Sequence, residues 1–132
     1  EDTELIMDPL NTVPRDSDAV PGMKDFRSFI KPQQDFKEQV FFHTMKGNKD
    51  GETSVTVINK KIGIAVVIKT NINQLPYIAQ WKMMGCGEYV LGIEPSNVLV
   101  QSRKTLRENN TLPILLPDES RINVLKIIVG SI

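Results

Sequence analysis

Hydrophobic and polar residues alternate along most of this chain, and short turn signals separate the alternating runs. Residues 53–58 and 62–70 are two such runs, rich in β-branched side chains, and the NKK between them reads as a hairpin turn. Further strands are predicted at residues 39–46, 77–84, 89–94 and 121–129, with a weaker candidate at 5–8. A period of two gives each strand one buried face, so the sequence predicts an all-β fold, an antiparallel β-sandwich.

Two segments lack this alternation. Residues 11–34 carry three prolines and read as a long irregular excursion, with a short helix expected near residues 24–29. Loops of this length are uncommon in compact domains and are often functional. The second segment, residues 98–110, is rich in basic residues, and a helical turn is expected at 102–108.

Composition excludes several functional classes. With 132 residues, 40% of them hydrophobic, the chain fits one soluble globular domain or part of one. Sixteen basic residues balance sixteen acidic ones, so neither nucleic acid nor an anionic membrane is an expected partner. The single cysteine, Cys86, allows no internal disulfide and fits a reducing, cytoplasmic location. One cysteine and one histidine cannot build a Cys/His metal site, and there is no phosphate loop, so we expect no metal and no cofactor.

One carboxylate stands at the end of a short apolar strand. The run is LGIEPSN at residues 91–97, in which Pro95 follows Glu94. Strand ends are where a sheet presents groups to a ligand, although a solvated surface carboxylate is the alternative. Alternation places Val90, Gly92 and Glu94 on one face. Gly92 then either leaves room for a ligand or is only a bulge or a packing gap.

The same segment carries a family resemblance. The run at 91–97 resembles the segment that holds the general base of galactose mutarotase-type enzymes, and PYIAQW at 76–81 resembles the strand before it. A closer match is the uncharacterised aldose 1-epimerase-like family, in which residues 75–97, with their QWKMMG core, recur nearly intact. The resemblance covers essentially the whole chain and corresponds to the C-terminal part of a protein more than twice as long.

The resemblance implies a fold and an activity. Residues 1–132 would form the C-terminal portion of a galactose mutarotase-like supersandwich, with an N-terminal portion before Glu1. The activity would be anomer interconversion of a free or substituted monosaccharide by acid–base chemistry, with Glu94 as the base and the acid on the N-terminal portion. A non-catalytic carbohydrate-binding module and a structural half of a larger sandwich are the alternatives. An uncovered apolar face would seek that N-terminal half or a second copy of the chain.

The resemblance and the alternation together give the substrate-binding candidates. FKEQVF at residues 36–41 resembles the mutarotase segment whose aspartate binds sugar hydroxyls, and Glu38 aligns with that aspartate; a surface charge is the alternative. Gln80 and Lys82 share a face opposite Trp81. Lys82 could contact a sugar hydroxyl, a carboxylate or a phosphate, and an edge-strand lysine that blocks aggregation is the alternative. If Gln80 and Lys82 line the site, Trp81 packs in the core, although an aromatic ring can also stack on a sugar.

The remaining candidates are basic residues and a histidine. His43 is the only histidine, and alternation places it on the face opposite Glu38, so one of the two is expected to be structural. A nucleophile pair of Cys86 with His43 is formally present, but nothing places the two together. Arg15 and Arg103 are recurrent basic loop positions in the family. They would suit an anionic substituent on the sugar, with plain surface charge as the alternative.

Overall fold

Two antiparallel four-stranded sheets face one another in the computed structural model, which describes residues 2–132. The strands are β1 (Thr3–Ile6), β2 (Pro9–Pro14), β3 (Gln39–Met45), β4 (Glu52–Asn59), β5 (Ile64–Asn71), β6 (Tyr77–Gly85), β7 (Glu88–Ser96) and β8 (Lys126–Ser131). The first sheet has the order β1-β4-β5-β8 and the second has the order β2-β3-β6-β7. The predicted all-β antiparallel sandwich is therefore confirmed.

Two tight hairpins set the register of the sheets. β4 and β5 pair from Asn59 with Ile64 onward, so the predicted hairpin is confirmed, although its turn spans residues 60–63 and β5 begins at Ile64 instead of residue 62. β6 and β7 pair from Gly85 with Glu88 onward, across a two-residue turn. Gly87 in that turn has a φ of 84°, in the left-handed region that favours glycine. This register pairs residue 81 with 92 and residue 79 with 94, and thus places all four on the same side of the second sheet.

The main core lies between the two sheets. Its buried members come from both sheets and from the irregular excursion: Leu5, Met7, Ala19, Phe26, Phe41, Met45, Val55 and Ile78. The excursion reaches the core because polar side chains of the second sheet bind its backbone. Gln80 Nε2 donates to the carbonyl of Phe26 at 2.7 Å, and Lys82 Nζ donates to the carbonyl of Asp25 at 2.8 Å. The excursion, which lacks the alternating pattern, is therefore ordered and covers the sandwich.

The structure differs from the predicted elements in several places. The first strand, β1, covers Thr3–Ile6 instead of residues 5–8. β2 (Pro9–Pro14) forms where the irregular excursion was expected to begin, and it is the edge strand of its sheet, where proline is tolerated. The helix expected near residues 24–29 does not form; the excursion contains a 3₁₀ turn at Val20–Gly22 instead. The last strand begins at Lys126 rather than at residue 121.

The helical turn expected at residues 102–108 is confirmed as α1 (Arg103–Glu108). Ser102 caps it, because its hydroxyl accepts a hydrogen bond from the amide of Thr105 at 3.1 Å. No helix within residues 2–132 has the length and apolar character needed to cross a membrane.

Apolar surface remains uncovered along β8. Ile127 and Val129 are 60% and 67% exposed, although both lie beside apolar residues of β5. The expected association with a partner half or a second copy stays a prediction, and this edge is where it would act.

Candidate functional site

The second sheet has two faces of different character. The inner face packs against the first sheet and carries the fully buried Phe41 and Ile78. The outer face holds a second apolar cluster of Val40, Phe42 and Ala79, against which Trp81 and Leu99 pack. On this outer face lies a cavity of about 190 Å³, lined by Arg15, Glu38, Val40, Phe42, Ala79, Trp81, Glu94 and Val100. Glu38, just before β3, and Glu94, on β7, thus meet in one cavity across β6.

Glu94 is exposed at the cavity and makes no hydrogen bond or ion pair to any residue in the described range 2–132. Its Oε1 atom would lie only 2.9 Å from a Cβ built on Gly92, so the carboxylate folds back along its own strand. β7 keeps regular pairing with β6 through this point, so Gly92 is not a bulge. A carboxylate with unused lone pairs at a cavity is available to a ligand.

Trp81 also faces this cavity. Its indole Nε1 is buried and has no hydrogen-bond partner within residues 2–132. Buried donors are normally paired, so an unpaired one in a residue that lines a cavity requires an explanation. The sequence placed Trp81 in the core only on the condition that Gln80 and Lys82 line the site, and it left stacking on a sugar open. The tight turn between β6 and β7 was the available signal, since it places Trp81 on the face of Glu94.

Glu38 is held at the cavity by an ion pair. Arg15 donates from one terminal amino group to Glu38 at 2.8 Å and from Nε to Asp16 at 2.6 Å. Both hydrogen bonds raise the pKa of the Arg15 guanidinium, and the bond to Glu38 has the larger effect. The bond from Arg15 lowers the pKa of Asp16. Two carboxylates therefore neutralise Arg15, which orients Glu38 instead of standing free for an anionic ligand.

His43 and Gln80 lie on the inner face and are fully buried. His43 Nδ1 lies 2.8 Å from the hydroxyl of Thr12, and Nε2 lies 3.0 Å from Oε1 of Gln80. Because an amide oxygen only accepts, Nε2 carries the proton and Nδ1 accepts from Thr12. Burial lowers the pKa of His43 to about 4. The charge of Arg27 lowers this pKa further, whereas the hydrogen bond to Gln80 raises it. His43 is thus a neutral, fully bonded part of the core.

Lys82 also points inward, with 2% of its surface exposed. Its Nζ donates to the carbonyl of Asp25 and lies 5.6 Å from the ring centroid of Phe29. Burial lowers its pKa, and the charge of Asp25 opposes that effect. The structure therefore does not bring His43, Gln80 and Lys82 to Glu38 and Glu94, because alternate residues of one strand face opposite sides.

Arg103 stands at the start of α1, is exposed and does not line the cavity of Glu94. A larger cavity of about 580 Å³ lies at the end of the first sheet, among polar residues that include Glu52, Lys69 and Lys126. It contains none of the residues that the sequence singled out. We place the candidate site at the smaller cavity because two carboxylates converge there beside an unpaired indole.

Comparison with known proteins gives a fold and a family. A crystal structure of a candidate aldose 1-epimerase from Klebsiella pneumoniae subsp. pneumoniae MGH 78578 superimposes with a TM-score of 0.90 over 98% of this chain, at 24% sequence identity. The chain spans 34% of that protein's length. No curated protein matches the chain. A family model described as a domain of unknown function, DUF4432, matches residues 1–129. The chain has an aldose 1-epimerase-like fold and belongs to the DUF4432 family.

Proposed function

We propose that the outer-face cavity binds an aldose and that Glu94 is the general base of anomer interconversion in the longer protein that the resemblance implies. One observation carries this proposal: Glu38 and Glu94 come from separate segments and converge on one cavity beside Trp81. The cavity is smaller than the roughly 300–1,000 Å³ that hold drug-sized ligands, as suits a small polar ring.

The two carboxylates are suited to different roles. Mutarotation requires a base that takes the proton of the anomeric hydroxyl and an acid that protonates the ring oxygen. Glu94 has no protein partner among residues 2–132, so both its oxygens are available to accept that proton. Glu38 is fixed by Arg15 at 2.8 Å, which suits it to hold a sugar hydroxyl in place. The proposal assigns the acid to a segment outside this chain.

The charge around the cavity favours an uncharged aldose. Arg15 is shared between Asp16 and Glu38, and Glu94 has no cationic partner within residues 2–132. Carboxylates therefore outnumber cations at the cavity, and a phosphate or carboxylate on the sugar would be repelled. This replaces the expectation that Arg15 receives an anionic substituent.

A non-catalytic sugar-binding role is the second candidate. It is favoured by the position of the only histidine, which lies on the inner face and is bonded on both nitrogens. Within the described residues, the cavity lining offers two carboxylates and an arginine but no histidine.

Trp81 is the only tryptophan of the chain, so its fluorescence reports on this cavity alone. Titration with D-glucose, D-galactose and D-xylose should change its emission, whereas D-glucose 6-phosphate should bind more weakly than D-glucose. If none of the three aldoses changes the emission, the proposal that this chain binds an aldose is wrong. If the phosphate binds more tightly, the assignment of an uncharged substrate is wrong.

Catalysis is tested in the longer protein by exchange NMR between the anomers of a bound aldose. Glu94→Gln keeps the size of the side chain and removes its basicity, so exchange should fall by roughly 10²–10⁴-fold. Glu88→Gln, on the same strand and also exposed, is the matched control and should leave exchange unchanged. If the Glu94→Gln variant binds the aldose and exchanges its anomers at an unchanged rate, Glu94 is not the base. Binding with no exchange in the unmodified protein would favour the non-catalytic candidate.

A further inference from the structure

Gly92 lies beside Trp81 in the pairing of β6 with β7. A Cβ built on Gly92 would lie 2.9 Å from Oε1 of Glu94, 3.3 Å from Cβ of Trp81 and 3.5 Å from its ring atom Cε3. The first distance is too short for a real contact, and the other two are close or ordinary contacts. The carboxylate of Glu94 therefore reaches into the space that a side chain at residue 92 would need.

The backbone itself does not demand glycine at this position. The glycines with positive φ are Gly51, Gly63 and Gly87, and Gly92 is not among them. The pairing of β6 with β7 runs without a register shift through Gly92, so no bulge requires it either. What glycine supplies here is space beside the indole, and the group that uses this space is Glu94.

We propose that Gly92 is a positioning residue whose missing side chain seats the Glu94 carboxylate against Trp81. A methyl group at residue 92 would push the carboxylate away from the indole and out of line with a bound aldose. Because Oε1 is the far end of a flexible, exposed side chain, it can move without disturbing the sheet. The effect on an aldose rests on the proposed function of Glu94, whereas the seating of the carboxylate does not.

The seating is tested without any ligand through the emission of Trp81. A double-mutant cycle combines Gly92→Ala with Glu94→Ala. The charged carboxylate lies 2.9 Å from the same Cβ position that is 3.5 Å from the ring. Gly92→Ala should therefore shift the emission several-fold more when Glu94 is present than in the Glu94→Ala background. Gly130→Ala, where an added Cβ meets nothing within 4 Å, is the matched control for glycine replacement in a strand. It should shift the emission in neither background.

Equal shifts in both backgrounds would overturn the proposal, because the added methyl group would then act on Trp81 directly. A crystal structure of Gly92→Ala with the Glu94 carboxylate in its original place would also overturn it. Urea unfolding of Gly92→Ala and Gly130→Ala should give similar midpoints, which would show that the sheet is intact.

The consequence for chemistry is tested in the longer protein. Gly92→Ala should lower the rate of anomer exchange roughly 10–100-fold, the usual effect of misplacing a reacting group by about 1 Å. It should cause no further loss in the Glu94→Ala background. An additional loss there would mean that Gly92 acts independently of Glu94. If the unmodified protein exchanges no aldose, the proposed function is wrong, and the emission cycle still decides whether Gly92 seats the carboxylate.

Discussion

The inner and outer faces of the second sheet are built from the same strands and use their polar residues in opposite ways. On the inner face, His43 and Gln80 are fully buried and bonded to each other, to Thr12 and to the backbone of Phe26. On the outer face, Glu94 is unpaired among residues 2–132, and the indole donor of Trp81 is buried without a partner in the same range.

Unused hydrogen-bonding capacity separates the functional polar groups of this sheet from the structural ones. A buried polar group that has all its partners contributes to folding, because removing it leaves the partners unsatisfied. A polar group that faces a cavity and has unused hydrogen-bonding capacity contributes to binding once a ligand is present. Mutations on the inner face should therefore change stability, and mutations on the outer face should change ligand binding.

The largest expected effect on stability is at Gln80. Gln80→Leu removes a group that bonds both His43 and the carbonyl of Phe26, and it leaves both unsatisfied in the core. At about 1–3 kcal/mol for each of these two buried unsatisfied groups, the free energy of unfolding should fall by about 2–6 kcal/mol. Urea denaturation would measure this loss, with Gln34→Leu on the exposed excursion as the control. A loss of stability no larger than that of the control would break the contrast between the faces.

The second effect is the pH dependence caused by His43. Its pKa falls from 6.5 to about 4 on folding, because burial disfavours the charged form. The unfolded chain therefore binds the proton first, and stability should drop as the pH falls from 6.5 towards 4. Between pH 7 and pH 5 this amounts to about 2 kcal/mol at about 1.4 kcal/mol for each pKa unit.

Urea unfolding at several pH values measures this slope. His43→Gln cannot titrate, so its stability should change much less over the same interval, whatever its absolute value. An equal slope in both proteins would mean that other groups cause the pH dependence.

The fold could largely be predicted from the sequence because its strands are regular and its turns are short. The hairpin of β4 with β5 and the helical turn at Arg103–Glu108 follow from local signals. β2 could not be recognised, because its pairing with β3 spans the long excursion and prolines occupy both of its ends. Local patterns carry little information about such long-range pairing.

The site could be predicted only in part. Alternation placed Glu94 with Gly92, and Glu38 with Val40, but it could not say which face of each strand would meet the first sheet. Gln80 and Lys82 became site candidates because they share one face of a strand that the resemblance places beside Glu94, and polar groups are rarely buried. The excursion explains why these two side chains are buried, since its backbone carbonyls at residues 25 and 26 accept hydrogen bonds from them. A backbone partner from a non-periodic segment leaves no pattern in the sequence.

The smallest expected effect separates stability from binding at Glu38. Glu38→Ala removes an exposed ion pair with Arg15, and such pairs contribute about 0–1 kcal/mol to folding. The loss of a charged hydrogen-bond partner for a sugar hydroxyl should nevertheless weaken aldose binding by about 1.5 kcal/mol, or roughly tenfold in Kd.

Glu4→Ala is the matched control, because it removes a similar exposed pair with Lys60 at 3.0 Å on the first sheet. Both variants should unfold at similar urea concentrations, and Glu38→Ala alone should weaken the response of Trp81 to an aldose. An equal response in both variants would exclude Glu38 from the site and leave Glu94 as its only carboxylate among residues 2–132.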